Sequence, residues 1–432
     1  MNATHRRTIF LILVFGGVIL RVILTVIAGN QVMTPWRVGG DAVFYIHLAS
    51  NVAQGMGFSY AHQPTAFRPP LYPLFLAGMM DVFGIHFVFA TRLLQCAVGF
   101  ITVWCCWRIA SRIFGAEGGW ATLLIALYFP TLAVFPTELM TECFATCLTA
   151  AFFWLALENP RLMERKTAVY LGMLVGFAAL LRFNMAIFAP IAAWIMLRSA
   201  GLRRTIPNFA LMTLAGGVIM LPWILRNQVV FQGRVLFSTQ GGYNALQGVL
   251  TPQGRVQPGD LETLREAGSW LSGDLETNGP QRLKLPAEPQ LDRRAWDLTR
   301  GIWRQKSWRL LPVMMDKLGY FWLSTDQLFS TYSFPWKIRA ARAAGVILYW
   351  GLLGLAITGW VLLHAQRPTT ARFLLGYALL ISLAHLPFIM TSRHRIPFAE
   401  PFLVVLGGAG LVWLCCRLNL LTSSECELTQ SR

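Results

Sequence analysis

The chain has 432 residues, 55% of them hydrophobic and only 13% charged, with a mean hydropathy of +0.51. A soluble globular protein carries roughly 25% charged residues, so this composition excludes an ordinary water-soluble fold and indicates a polytopic membrane protein. The formal net charge of +17 would point to nucleic acid in a soluble chain. Here most Lys and Arg fall in short loops between apolar segments, where they set topology, and no nucleic-acid partner is expected.

The first apolar segment runs to Ala28 behind His5-Arg6-Arg7. It is long for a signal peptide and no Ala-x-Ala site follows, so it reads as an uncleaved first span. Arg21 interrupts it; an intramembrane Arg faces protein or a water-filled cavity, or snorkels to the interface. A bilayer core needs about 20 apolar residues as helix. On that rule, spans are predicted near 8–28, 88–110, 118–135, 138–157, 167–182, 184–199, 207–225, 341–363, 371–391 and 396–417. The expected fold class is all-α: a polytopic protein with about ten transmembrane helices and two long loops. Three parts follow: an N-terminal transmembrane module over 1–225 containing loop 29–87, a second long loop over 226–340, and C-terminal helices and tail over 341–432.

Basic residues alternate between loops. Arg6-Arg7, Arg108, Arg112, Arg161, Arg165-Lys166, Arg198, Arg203-Arg204, Arg367, Arg372 and Arg417 lie on one side, which is therefore cytoplasmic. Both long loops are then expected to be extracytoplasmic.

Asp41 stands just beyond the first span, in Gly39-Gly40-Asp41-Ala42-Val43-Phe44-Tyr45. Gly55-Met56-Gly57-Phe58 and Phe67-Arg68-Pro69-Pro70-Leu71-Tyr72-Pro73 follow in the same loop. A carboxylate, a cation and aromatics stiffened by proline are the material of a catalytic site. Asp41 also reads as a helix N-cap. Glu138, Glu142, Arg182, Arg226 and Arg393-His394-Arg395 fall at the same predicted level. The positive-inside bias does not explain outer arginines beside outer carboxylates; an anionic ligand does. Arginine forks onto phosphate with parallel hydrogen bonds, and a positioned carboxylate takes a proton from a hydroxyl. The pattern suits displacement of a phosphate from carbon. Glu138 and Glu142, four apart, are expected on one helical face. Structural ion pairs and helix ends are the competing reading of these charges.

In the second loop, Pro222-Trp223-Ile224-Leu225-Arg226-Asn227 closes the seventh span and Ser238-Thr239-Gln240-Gly241-Gly242-Tyr243-Asn244 is a Gly-rich turn. Residues 251–290 read as loop. From Asp292 to Trp322 the apolar residues recur at helical steps, with Trp296, Trp303, Trp308 and Arg309 among them and a break expected near Pro312. This reads either as an amphipathic helix in the membrane interface or as a solvated surface helix. Cys143 and Cys147 are one turn apart with no further Cys or His beside them, so no zinc site is expected. Neither long loop contains Cys, which leaves no disulfide framework there; Cys426 lies in the tail. His47, His62 and His394 read as packing or surface residues. No Asp-x-Asp clasp occurs in either loop and no nucleotide-binding glycine motif is present. The phosphate is therefore not expected on a nucleotide, and no metal or organic cofactor is expected.

Gly40-Asp41-Ala42-x-x-Tyr45, Ala49, Asn51, Gly55-x-Gly57-Phe58 and Arg68-Pro69-Pro70-Leu71-Tyr72-Pro73 together resemble the first outer loop of the polytopic GT-C glycosyltransferases. They are similar in particular to the bacterial branch related to protein O-mannosyltransferases and the aminoarabinose transferase of lipid A. The resemblance continues through Pro136-Thr137-Glu138, Leu181-Arg182, Pro222-Trp223-x-x-Arg226-Asn227 and Arg393-His394-Arg395-x-Pro397-x-x-Glu400-Pro401. It implies an inverting glycosyltransferase using a polyprenyl-phosphate-linked sugar donor, with a glycan, lipid or protein acceptor and membrane lipids around it. Asp41 inherits the role of base and Arg68 that of the phosphate contact. Tyr72, Glu138, Glu142, Arg182, Arg226, Asn227, Tyr243, Asn244, Arg393 and Arg395 are the further candidate substrate-binding residues. Protein mannosyltransferases carry an Asp-Glu pair where this chain has Asp41-Ala42, which weighs against a protein Ser/Thr acceptor. The alternatives are a secondary transporter or a lipid-binding subunit that keeps the fold without chemistry.

Overall fold

The computed structural model describes residues 3–32, 41–60, 63–158, 164–250, 288–306, 310–325 and 336–421. Gly39, Gly40, His62, Arg161, residues 251–287, Trp308, Arg309 and Cys426 lie outside them. Helix α1 (Ala3–Ala28) is followed by α2 (Asp41–Ala53), a short hairpin of β1 (Ser59–Tyr60) and β2 (Gln63–Pro64), and α3 (Leu71–Phe83). Then come α4 (Phe87–Tyr128), α5 (Pro130–Val134), α6 (Glu142–Glu158), α7 (Arg165–Leu181), α8 (Phe188–Ala200) and α9 (Leu202–Val230). The second loop carries α10 (Gly241–Leu250), α11 (Glu288–Lys306) and α12 (Leu310–Leu323). The chain closes with α13 (Trp336–Gln366), α14 (Pro368–His385) and α15 (Ser392–Arg417).

Six described helical stretches are long and apolar enough to cross a membrane: Thr8–Ala28, Leu71–Tyr128, Phe183–Ala200, Leu202–Val230, Ala343–Gln366 and Ser392–Arg417. Glu142–Leu157 is apolar but shorter. The second stretch is longer than one crossing and reverses. Gly115, with φ 76° and ψ −174°, supplies a conformation that other residues adopt at a cost. On either side of it the chain passes α1 twice. Phe10 lies 6.0 Å from both Trp107 and Trp120, while Arg21 meets the Phe100 ring and the carbonyls of Leu127 and Leu132. The predicted spans 88–110 and 118–135 are thus two arms of one hairpin. Arg21 faces protein: it is 1% exposed and spends its donors on main-chain carbonyls.

Helix α15 is the spine, buried on nearly all sides between α4, α6 and α13. A Cβ at Gly359 would collide with the carbonyl of Leu406, and one at Gly410 with that of Leu355. These glycines let α13 and α15 approach backbone to backbone, the small-residue packing usual where lipid offers no hydrophobic drive. Gly172, Gly176 and Gly216 do the same between α7 and α9.

One expectation is corrected. Glu138 is not on the helical face of Glu142: it is extended (φ −91°, ψ 140°) after a 3-10 turn over Phe135–Thr137, and α6 begins only at Glu142. The turn at Pro136 is where the apolar count puts it, but residues 138–141, which that count gives to helix, precede α6. Residues 307–309, beside the break expected near Pro312, lie outside the described ones. That proline lies in the first turn of α12, where its missing N–H has no helical partner to lose.

The apolar face of α11 is covered by α10 rather than turned to lipid. Leu246 and Ala295 form a small core with Tyr243, Leu250, Leu298 and Ile302 packed on it. Asp292 Oδ1 accepts from the backbone N–H of Gly242 at 2.6 Å. Burial raises the Asp292 carboxyl to about 6, against the Gly242 hydrogen bond. A carboxyl raised in the folded state stabilises fully below its unfolded value and loses that contribution as pH rises through the folded one. Asn keeps the acceptor without the charge. Asp292→Asn is therefore expected to unfold like wild type below about pH 4 and to be more stable above pH 6, by on the order of 2–3 kcal/mol. Thermal unfolding across that range in detergent checks it.

Candidate active site

Five charged side chains from distant parts of the sequence form one chain of ion pairs. Asp41 Oδ1 accepts from Arg68 Nη2 at 2.5 Å, and Asp41 Oδ2 from Arg393 Nη2 at 2.5 Å. Arg393 Nε donates to Glu142 Oε1 at 2.5 Å, and Arg182 Nη1 lies 3.3 Å from the same oxygen. Charges thus alternate from Arg68 through Asp41, Arg393 and Glu142 to Arg182. Exposure is greatest at one end: Asp41 is 23% and Arg68 17% exposed, Arg393 and Arg182 12%, and Glu142 between those two 0%. The opening is on the Asp41–Arg68 side.

Helix ends bring these residues together. Asp41 and Glu142 are the first residues of α2 and α6, where the helix dipole favours an anion. Arg182 caps the C-terminal end of α7 in an extended conformation, where a cation is favoured. Arg393 is the exception, the second residue of α15; its charge opposes the dipole and is offset by two carboxylates. Thr391 and His394 close a capping box that starts α15, with His394 Nδ1 2.8 Å from Thr391 Oγ1. Pro397 has no N–H to give the carbonyl of Arg393 four residues back.

Arg68 also lies over aromatic rings, its guanidinium carbon 5.5 Å from Phe44, 5.7 Å from Tyr45 and 5.2 Å from Phe67. Gln240 accepts from Arg68 Nη1 at 2.8 Å and donates to the Phe67 carbonyl at 3.1 Å. Burial alone would raise the Asp41 carboxyl, but Arg68 and Arg393, with Arg182 behind them, outweigh it and hold the group well below the usual carboxylate range. Burial raises the Tyr45 hydroxyl, with Asp41 adding to it.

The other candidates hold the frame. Tyr72 donates to Gln95 Oε1 at 2.7 Å, and Gln95 Nε2 donates to the carbonyls of Pro136 and Glu138 at 2.8 and 2.6 Å. This pins the turn that delivers Glu142. Glu138 itself is buried beside this turn. Arg226 donates to the carbonyls of Thr65 and Phe58, both at 2.8 Å, and to Asn227 Oδ1 at 2.9 Å. Asn227 in turn reaches the Phe237 carbonyl at 3.2 Å. Arg395 is fully buried, donating to the carbonyls of Phe321, Trp322 and Ser324 and to Glu400 at 3.4 Å. Tyr243 packs on Phe67, 5.9 Å between rings, and the Asn244 carbonyl accepts from Ile389 N at 3.0 Å; both border the site.

The residue types alone did not single out Gln240, Phe44 or Glu288. Glu288 accepts from Ala66 N at 2.9 Å and from the Thr239 hydroxyl, fixing the segment before Arg68. Gln240 stands in a Gly-rich turn and could have been sought there; Glu288 sits 222 residues from Ala66 with no local signal. Among the described residues no cluster of three or more His, Cys, Asp or Glu could hold a metal ion.

A family model described as dolichyl-phosphate-mannose-protein mannosyltransferase matches residues 67–226. No curated protein sequence matches at a significant level. Among solved structures, the oligosaccharyltransferase of Archaeoglobus fulgidus in its apo form is 14% identical, with TM-score 0.51 over 96% of this chain and 52% of that one. The same enzyme tethered to an acceptor peptide is 13% identical, with TM-score 0.50 over 94% and 50%. This chain spans about half the length of that enzyme. ArnT from Cupriavidus metallidurans bound to undecaprenyl phosphate is 17% identical, with TM-score 0.47 over 98% of this chain and 82% of that one. The chain has the fold of the GT-C membrane glycosyltransferases.

Arg393 and Arg395 are only two residues apart in this GT-C chain, yet they do different work. Arg395→Met is expected to cost about 3–5 kcal/mol of stability, because Glu400 is left buried without its cation. Adding Glu400→Leu is expected to restore only the part due to the buried carboxylate, because the carbonyls of Phe321, Trp322 and Ser324 still lack the Arg395 donor. Denaturant unfolding of the two variants measures both.

Proposed function

We propose that this protein is an inverting glycosyltransferase that moves a sugar from a polyprenyl-phosphate donor to an acceptor hydroxyl on the extracytoplasmic face of the membrane. The observation that carries this reading is Asp41 held 2.5 Å from both Arg68 and Arg393 on the open side of the ion-pair chain. Asp41 takes the proton of the acceptor hydroxyl as general base. The hydroxyl oxygen attacks the anomeric carbon from the face opposite the phosphate. The bond from that carbon to the phosphate oxygen breaks, its electron pair stays on the phosphate, and the configuration inverts. Arg68 and Arg393 stabilise the charge arriving there; preorganised cations matter most where charge develops.

Three further features support the reading. The GT-C fold is that of membrane glycosyltransferases, and the matched family model is named for a lipid-phosphate-sugar donor. The site lies among apolar helices, so a lipid-borne phosphate reaches it more readily than a nucleotide in water. A largely apolar cavity of about 580 Å³, bordered by Phe58, Leu74, Leu180, Trp223 and Val230, adjoins the loop that carries Arg68 and suits an isoprenoid chain. The acceptor on this reading is a glycolipid, lipopolysaccharide, cell-wall glycan or protein, and the location a bacterial inner membrane. Asp41→Asn is expected to remain folded and to lower transfer by about 10²–10⁴. Turnover of labelled polyprenyl-phosphate sugars in proteoliposomes tests this, and near-normal transfer by the variant removes Asp41 from the mechanism.

A further inference from the structure

The five-residue chain contains three guanidiniums and two carboxylates, leaving one unbalanced positive charge. We propose that Glu142 is a positioning residue that sets this single charge, so that the site matches a phosphodiester monoanion and releases the phosphomonoester dianion left after transfer. The inference rests on the glycosyl-transfer reading above.

Glu142 is placed to act through other residues rather than on the substrate. Its side chain is fully buried, behind Arg393 and Arg182 and away from the opening. Its Oε1 accepts from Arg393 Nε and lies 3.3 Å from Arg182 Nη1, and its Oε2 has no hydrogen-bond partner among the described residues. Neighbouring histidines add no charge. His394 Nδ1 accepts from the Thr391 backbone N–H, and His385 Nδ1 faces the Ile381 carbonyl while Nε2 faces the Asn184 amide. Each ring thus keeps one acceptor nitrogen and is neutral.

Charge then balances through the whole step. A sugar linked through a phosphodiester brings one negative charge, which cancels the surplus. On transfer, the phosphate gains one negative charge as its bond to the sugar breaks. Asp41 loses one as it takes the acceptor proton. The site is neutral before and after, so no net charge is created in a low-dielectric enclosure. When Asp41 returns its proton to water, the site again carries one positive charge facing a phosphate dianion, and the excess negative charge favours departure. Without Glu142 the site would carry two positive charges and would hold the spent carrier.

The test compares binding of two probes to the full-length protein in nanodiscs at pH 8: a polyprenyl monophosphate, a dianion there because its second pKa is near 6, and its methyl phosphodiester, a monoanion. Glu142→Gln and Asp41→Asn each remove one negative charge at nearly constant shape. Each is expected to tighten the monophosphate relative to the diester by at least about tenfold, as one unit charge at this range implies. Glu142→Asp is expected to keep the wild-type ratio. A merely structural role would weaken both probes together and leave the ratio unchanged, which overturns the inference. Asp41→Asn, on the open side, still decides the question if Glu142→Gln does not fold. Wild-type protein that binds neither probe would instead refute the glycosyl-transfer reading itself. Wild type that binds both and transfers sugar, with an unmoved ratio in the variants, refutes only the charge-matching role.

Discussion

Arg393 is the contact on which the site depends. It joins Asp41 and Glu142, which lie 352 and 251 residues away in sequence, and it does so from the second residue of a helix, where the dipole opposes a cation. Each carboxylate heads its own helix, where the dipole favours it. Three helix N-termini are therefore held together by one guanidinium that none of them would tolerate alone. Neither Glu142 nor Arg393 could be buried without the other, because an unpaired charge in so apolar a setting costs several kcal/mol. The pairing thus fixes the positions of α2, α6 and α15 relative to one another before any ligand arrives.

Around it stands a second group of arginines with a different task. Arg21, Arg92, Arg226 and Arg395 donate mainly to main-chain carbonyls: Arg92 alone reaches Gly29, Gln31 and Thr137 at 2.5, 2.6 and 2.7 Å. Every break in a membrane helix frees carbonyls that lipid cannot satisfy. Arginine, with five donors in a fixed fork, closes several such breaks at once. The kinks and turns that gather the site are affordable because these residues answer the backbone groups they expose. Arg68, Arg182 and Arg393 answer carboxylates instead.

This division explains what could be read from the chain. Apolar length located the helices, because burial in lipid demands about 20 such residues whatever the tertiary contacts. It put a turn at Pro136 but began the next helix at 138, because apolar Leu139 and Met140 follow Glu138, whereas α6 begins at Glu142. Asp41 and Arg68 were legible as a pair within one loop, and Glu142, Arg182 and Arg393 as charges at one level. Arg226 and Arg395 looked the same in sequence, since both kinds of arginine sit beside prolines and helix ends. Only the partner separates them, and partners such as Glu288 for Ala66 come from far away in sequence. The amphipathic pattern of α11 likewise declared an apolar face without saying that α10 covers it.

On the glycosyl-transfer reading, the same pairing has a consequence for the base. A carboxylate gripped by two guanidiniums is held well below its usual range and is a weak proton acceptor. The donor phosphate competes for those guanidiniums. As Arg68 and Arg393 turn part of their charge to it, Asp41 loses stabilisation of its ionised form and gains basicity. Glu142, fixed behind Arg393, keeps that arginine from leaving altogether. The base is then strongest when the donor is bound and weakest when the site is empty, so the groups that recognise the phosphate also decide when a hydroxyl is activated. An enzyme that holds an activated sugar near water gains from this order, because the proton acceptor is not fully formed until the donor is seated.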